Sequence, residues 1–212
     1  MRRKGISVII CCYNSSARIE PTLSHLFNQQ TDGSFDWEII VVDNNSSDDT
    51  SSKTQAIYDD SSCGIPFRVI QESNPGLSNA RHAGFEASKH DICLMVDDDN
   101  WLSPNYLSGV FQAFESDDTI GMVGGLGIPE LSKPAPKWFK KYAYCYATGP
   151  QTESGEVGPS QHLYGAGLAL KLSILDKLKK AGFKSLLSDR IGNSLMSGGD
   201  TDRTCPGYNA RS

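Results

Sequence analysis

No two cysteines in this 212-residue chain have CxxC spacing, and no Cys/His cluster has the spacing of a zinc site. A zinc module and a CxxC redox centre are therefore excluded. The six cysteines stand at 11, 12, 63, 93, 145 and 205. Cys11, Cys12 and Cys93 lie inside apolar runs, where cysteine acts as a small hydrophobe. The pattern predicts a reduced, cytosolic protein. Long hydrophobic runs are missing too. The apolar run Ile6 to Cys12 is far short of the roughly 20 residues of a membrane span. Met1-Arg-Arg-Lys ahead of it imitates the start of a signal peptide, but no A-x-A-like site follows, and a buried first strand accounts for it better. Basic residues are in deficit, 20 against 25 acidic ones, for a net charge of -5. That balance argues against a nucleic-acid partner, which needs a net basic surface. Repeats and low-complexity stretches are absent.

What is present is an ordinary globular composition, 38% hydrophobic and 21% charged, at a length that suits one domain. The first half alternates strand-like and helix-like pieces. Ile6–Cys12, Glu38–Val42, Phe67–Gln71 and Ile92–Val96 read as strands, the first a continuous apolar run of the kind buried on both faces. Between them, Ile19, Leu23, Leu26 and Phe27 fall at helical spacing, and the polar run Asn44 to Thr50 offers caps for a second helix. Leu77 to Lys89 reads as a helix rich in small residues, and Pro104 suits the first turn of a helix reaching about Glu115. Alternation of this kind predicts an α/β fold, a Rossmann-like α/β/α sandwich around a mostly parallel sheet. Ile120–Gly127 and Gly165–Leu170 read as further strands, and Ser173 to Ala181 as a last helix. The chain divides into a first part, about 1–127, and an appended part, about 128–212.

Ligands of parallel sheets bind beyond the carboxyl ends of the strands. Three strands here end in polar residues: Tyr13-Asn14, Asp43, and Asp97-Asp98-Asp99. Side chains i and i+2 of an extended strand point the same way, so Asp97 and Asp99 can converge on one ligand while Asp98 faces elsewhere. Two close carboxylates stay ionised together only beside a cation, and an all-oxygen set suits Mg2+ or Mn2+. A solvated acidic turn is the plain alternative. Asp43 can cap the following helix or accept from a nucleobase or ribose, and the residues alone do not choose. Gly76 in Asn74-Pro75-Gly76 allows close backbone approach to a ligand, and Arg81 supplies a guanidinium that forks onto phosphate or carboxylate. Asp200 and Asp202 follow Ser197-Gly198-Gly199, where a carboxylate can serve as general base or as helix cap.

These features occur in order in one family. The stretches SVIICCYN (7–14), EIIVVDNNSSDDT (38–50), NPGLSNARHAGFEAS (74–88), LMVDDDNWLSP (94–104) and SGGDTD (197–202) resemble a family 2 glycosyltransferase of the GT-A fold. The resemblance implies an inverting transfer of a sugar from a nucleoside-diphosphate sugar, UDP-linked by preference, to a carbohydrate or glycolipid hydroxyl in bacterial cell-surface synthesis. It implies that Cys12, Tyr13, Asn14 and Asp43 hold the base and that Arg81 lies near the diphosphate. Asp97 and Asp98 would face the ribose and donor sugar. Asp99, with Asp97, would ligate Mg2+ or Mn2+, and Asp200 would be the catalytic base. The chain departs from the family where Gly199 replaces an acidic residue before Asp200, and it stops at Ser212, which implies a truncated acceptor side.

Three other readings compete. A sugar-phosphate nucleotidyltransferase would carry a Gly-rich, basic loop after the first strand, which CCYNSSAR is not. A receiver-like signalling domain would carry a carboxylate pair there and a lysine at a later strand end. A nucleotide-sugar-binding module without turnover shares every feature above. The aromatics from Trp138 to Tyr164 are candidates for an acceptor wall, and Trp138 and Phe139 among lysines 133 to 141 suit peripheral contact with the inner face of the plasma membrane.

Overall fold

The computed structural model describes residues 2–183, apart from 132, 153–154 and 159–160. Six strands form one sheet. They are β1 (Arg3–Cys12), β2 (Asp36–Asp43), β3 (Phe67–Gln71), β4 (His90–Asp97), β5 (Met122–Val123) and β6 (Leu168–Lys171). Their order is β3-β2-β1-β4-β6-β5. β1 pairs in parallel with β2 and β4, and β2 with β3, whereas β6 runs antiparallel to both β4 and β5. The helices are α1 (Ile19–Phe27), α2 (Thr50–Ser61), α3 (Leu77–Ala87), α4 (Tyr106–Ser116), α5 (Phe139–Tyr142) and α6 (Leu172–Lys180).

Alternating residues of β1 face opposite layers. Ile6, Val8, Ile10 and Cys12 join Ile19, Leu23 and Leu26 of α1 and Leu107, Val110, Phe111 and Phe114 of α4 in one core. Ile9 joins Ile40 and Val42 of β2, Ala80 and Phe85 of α3, and Leu168, Leu170 and Leu172 in the other. A strand buried on both faces reads as a nearly continuous apolar run, and the one polar residue of ISVIICC, Ser7, is satisfied inside by donating its hydroxyl proton to Glu38 at 2.8 Å. Burying side chains such as Ile6 and Ile9 fully contributes about 1.5–3 kcal/mol each.

The small residues of α3 have a measurable purpose. A Cβ on Gly84 would stand 2.5 Å from Cγ2 of Ile9, which is fully buried and has nowhere to swing. Gly84→Val should therefore cost about 3 kcal/mol by overpacking, read as a lower urea midpoint at unchanged slope. An unchanged midpoint would mean that α3 shifts freely on the sheet.

Some expected boundaries move, each for a physical reason. Of the strand expected over 120–127, only Met122–Val123 pairs in the sheet. The glycines beyond it serve close approach instead: a Cβ on Gly125 would run into the Tyr106 hydroxyl, and Gly127 bridges to Gly149. Pro104 lies outside the first turn of α4. Its carbonyl accepts from the Gln30 N–H at 2.7 Å, holding this loop to the end of α1 while the helix begins at Tyr106. The helix expected to Lys89 stops at Ala87, and the Ser88 hydroxyl closes it by donating to the Gly84 carbonyl at 2.8 Å. β6, from the second part of the chain, is a strand of the same sheet. Among the described residues no helix is long and apolar enough to cross a membrane.

Candidate active site

Strand register brings the polar strand ends side by side. Cys12 stands opposite Asp43, Cys11 opposite Asp97, and Asp43 opposite Gln71. The carboxyl ends of β3, β2, β1 and β4 therefore make one continuous rim with two aspartates in it.

The loops that follow β1 and β2 are stitched together above this rim. Asn14 takes a left-handed conformation, φ 50°, and its N–H donates to the Ser46 hydroxyl at 3.0 Å. Its side-chain oxygen accepts from the Ser47 N–H at 2.8 Å. The Ser15 N–H donates to the Thr50 hydroxyl at 2.7 Å. Asp48 supports the start of α2, accepting from the Thr50 N–H at 3.1 Å and the Ser16 N–H at 3.2 Å. Burial works to raise the Asp48 carboxyl, but the Thr50 hydroxyl, which also donates to it, and these N–H groups outweigh that effect and hold it at about 2.

Asp43, at the end of β2, shares that support through Ser51 in the first turn of α2 while remaining on the rim. Asp43 is 4% exposed. It accepts from the Ser46 N–H at 3.1 Å, from Gln71 Nε2 at 3.2 Å and from the Ser51 hydroxyl. Burial opposes its charge, yet the bonds from Ser46, Ser51 and Gln71 prevail and hold it below the usual carboxylate range. Asp43 is an ionised acceptor with fixed orientation.

The next residue, Asn44, ties β2 to the turn that opens α3. Its amide donates to the carbonyls of Glu72 at 3.0 Å and Asn74 at 2.7 Å, and its oxygen accepts from the Gly76 N–H at 2.7 Å. Gly76 sits at φ 132°, a conformation open chiefly to glycine. This clamp fixes the start of α3, and with it Arg81, which is only 4% exposed.

The aspartate triplet is arranged differently from the strand alternation expected of it. β4 ends at Asp97, its last paired residue, and Asp98 and Asp99 form a turn. Asn100 closes that turn: its N–H donates to the Asp97 carbonyl at 3.1 Å, and its side-chain oxygen accepts from the Asp97 N–H at 3.3 Å. Asp97 is partly buried and Asp99 exposed. Asp98 is 9% exposed, and its carboxylate is directed at the N-terminal end of α1, where Arg18 Nε and Nη2 reach it at 2.9 and 2.7 Å. The Ser15 hydroxyl donates to the same oxygen. Asp98 therefore braces the turn.

Cys12 turns inward. Its side chain is packed in the core, burial and the nearby Asp98 charge push its thiol well above the usual range, and its carbonyl accepts from the Asn44 N–H at 2.8 Å. Tyr13, by contrast, is half exposed beside the rim. Asp200 lies outside the described residues. Arg18, Ser15 and Thr22 are the site residues that the sequence reading missed. A cation six residues after the end of β1 was the available signal, but its partner is 80 positions away. Trp101, half exposed and stacked on His25 with ring centroids 5.6 Å apart, was missed too.

Similarity to known proteins agrees with this geometry. Poly(ribitol-phosphate) beta-N-acetylglucosaminyltransferase TarP of Staphylococcus aureus (strain N315) is 24% identical over 134 residues, which is 63% of this chain and 40% of that protein. The chain spans between 29% and 40% of three bacterial glycosyltransferases that it matches. The fold is that of S. aureus TarS 1-349, solved in complex with UDP, with a TM-score of 0.65 at 18% identity over 94% of this chain and 54% of that one. It is equally that of the mannosyltransferase PcManGT from Pyrobaculum calidifontis, solved with GDP-Man and Mn2+, with a TM-score of 0.64 at 20% identity over 84% and 47%. The profile described as Glycosyl transferase family 2 matches residues 7–169, from the first strand into β6, and this chain belongs to that family.

Proposed function

We propose that this chain is the donor-binding and catalytic part of an inverting, divalent-metal-dependent glycosyltransferase. It would move a sugar from a nucleoside-diphosphate sugar, UDP-linked by preference, to a carbohydrate or glycolipid hydroxyl in bacterial cell-surface polysaccharide synthesis. One observation carries the reading: Asp43 and Asp97 close two parallel strands that flank β1, with Asp99 exposed on the turn beyond. UDP in TarS and GDP-Man with Mn2+ in PcManGT support the ligand class.

The residues present fit a hard cation. The fit is one of donor chemistry: Asp97 and Asp99 offer only oxygen, whereas among the described residues no cluster of three or more His, Cys, Asp or Glu forms a ready-made metal cage. Such a pair suits Mg2+ or Mn2+ that completes its shell with diphosphate oxygens and water. When bound, the ion would offset the charge that develops on the leaving diphosphate.

The chain's own groups do the rest. Asp43, held ionised, accepts from the base or ribose, and Tyr13 and Asn14 border the same place. Arg81 supplies positive charge toward the diphosphate. Asp200 takes the proton of the acceptor hydroxyl as its oxygen bonds to the anomeric carbon and the bond to the diphosphate oxygen breaks. A single displacement inverts configuration. Residues 1–127 bind the donor, and residues 128–212 form the acceptor side, where Trp138, Tyr144 and Tyr146 are exposed. The lysines 133, 137, 140 and 141 beside Trp138 suit peripheral contact with the cytoplasmic face of a membrane.

Titration calorimetry with UDP and GDP, with and without Mg2+ or Mn2+, tests the reading. One of the two diphosphates should bind, at least tenfold more tightly with the metal. Binding of neither, under either condition, would overturn it.

A further inference from the structure

Besides a long bond from Nη2 to the Ser15 hydroxyl at 3.4 Å, the Arg18 guanidinium makes three separate engagements. Nε and Nη2 hold the Asp98 carboxylate. Nη1 donates to the Asn14 carbonyl at 3.2 Å, and Nη2 to the Tyr13 carbonyl at 3.1 Å. The first engagement fixes the middle residue of the aspartate turn. The other two fix the loop after β1, whose Asn14 is held at positive φ. Ser15 and Thr22 complete the brace. The Ser15 hydroxyl receives the Tyr13 N–H at 3.1 Å and donates to Asp98, and the Thr22 hydroxyl donates to the Asp98 carbonyl at 3.0 Å. The backbone of the turn and the backbone of the loop are thus bonded to one short stretch, residues 15 to 22.

We propose that Arg18 is a positioning residue that couples the base-binding loop at Tyr13–Asn14 to the metal-binding turn at Asp97–Asp99. The inference rests on the nucleotide-sugar reading above. Asp98 cannot move without carrying Asp99 with it, because the two are adjacent in one turn. Tyr13 and Asn14 border the place of the base. A rigid, forked cation that holds both keeps base and diphosphate contacts at a fixed separation. A lysine could keep the charge next to Asp98 but could not also reach both carbonyls in one plane.

A mere loop staple and a coupling residue make different predictions. A staple, when removed, weakens every ligand by the same factor. A coupler weakens the ligand that spans both ends more than the ligand that touches one. The experiment compares whichever of UDP or GDP the wild-type chain binds, with Mn2+, against the matching nucleoside, which lacks the diphosphate. Thermal unfolding reports folding of each variant. In Arg18→Ala, diphosphate affinity with Mn2+ should fall about tenfold more than nucleoside affinity, the size of one lost charge-assisted contact. The gain in diphosphate affinity on adding Mn2+ should shrink by a similar factor. Arg18→Lys should fold like the wild type and still lose much of that gain, and it carries the comparison if the alanine variant unfolds. Equal losses for nucleoside and diphosphate, or an unchanged gain from Mn2+ in a folded variant, would overturn the coupling alone. A wild-type chain that binds neither diphosphate would overturn the nucleotide-sugar reading and this inference with it.

Discussion

Replacing Asp99 by alanine should abolish the gain in nucleoside diphosphate affinity that Mg2+ or Mn2+ provides, a loss of about 100-fold or more, while leaving the fold intact. The two halves of this expectation have separate grounds. Asp99 is exposed on the turn, belongs to neither core cluster, and is followed by Asn100, whose bonds to Asp97 close the turn without it. Removing an exposed side chain of that kind changes stability by no more than about 0.5 kcal/mol. Its carboxylate is nevertheless the exposed one of the turn, since Asp98 is committed to Arg18 and Ser15 and Asp97 is partly buried. On the function proposed above, a metal left with Asp97 alone would have lost half of its protein ligands. Calorimetry with and without metal reads the first half, and the melting temperature reads the second. Unchanged metal dependence in the folded variant would place the ligands elsewhere.

Much of this arrangement was legible in the sequence, for a reason that also marks where legibility stops. Parallel strands buried on both faces leave nearly continuous apolar runs, broken here by the buried pair Ser7 and Glu38, so Ile6–Cys12, Glu38–Val42 and Ile92–Val96 stood out, and the polar residues ending them marked the rim. Register did the remaining work, and it follows from pairing the runs end to end. The orientation of β6 was not legible, because four residues of LALK read alike in either direction. The triplet misled for a different reason. Alternation holds only while the chain is extended, and β4 has no ladder partner beyond Cys11 opposite Asp97 and Met95 opposite Leu168. Past that point the turn sets the side-chain directions. Arg18 was invisible because its meaning depends on Asp98, which no local pattern connects to it.

Asp200→Asn should leave donor binding unchanged and slow transfer by about 10^2- to 10^4-fold, the usual contribution of a positioned general base. Asparagine keeps the size and hydrogen-bonding shape of the side chain but cannot take the acceptor proton. Attack by a hydroxyl that keeps its proton would build positive charge on oxygen while the diphosphate departs, and that raises the barrier without touching the bound donor. The effect must therefore fall on the chemical step and not on affinity. Release of nucleoside diphosphate from the nucleotide-sugar, followed in a single turnover, measures the step, and calorimetry with the donor measures binding. The wild-type result separates two classes of protein: donor binding with no release identifies a binding module, whereas release identifies an enzyme. Among enzymes, an Asp200→Asn variant at full rate would move the base to Asp202, two residues on along the same segment. A variant that loses affinity as well as rate would make Asp200 part of the donor site, and the proton would then need another acceptor.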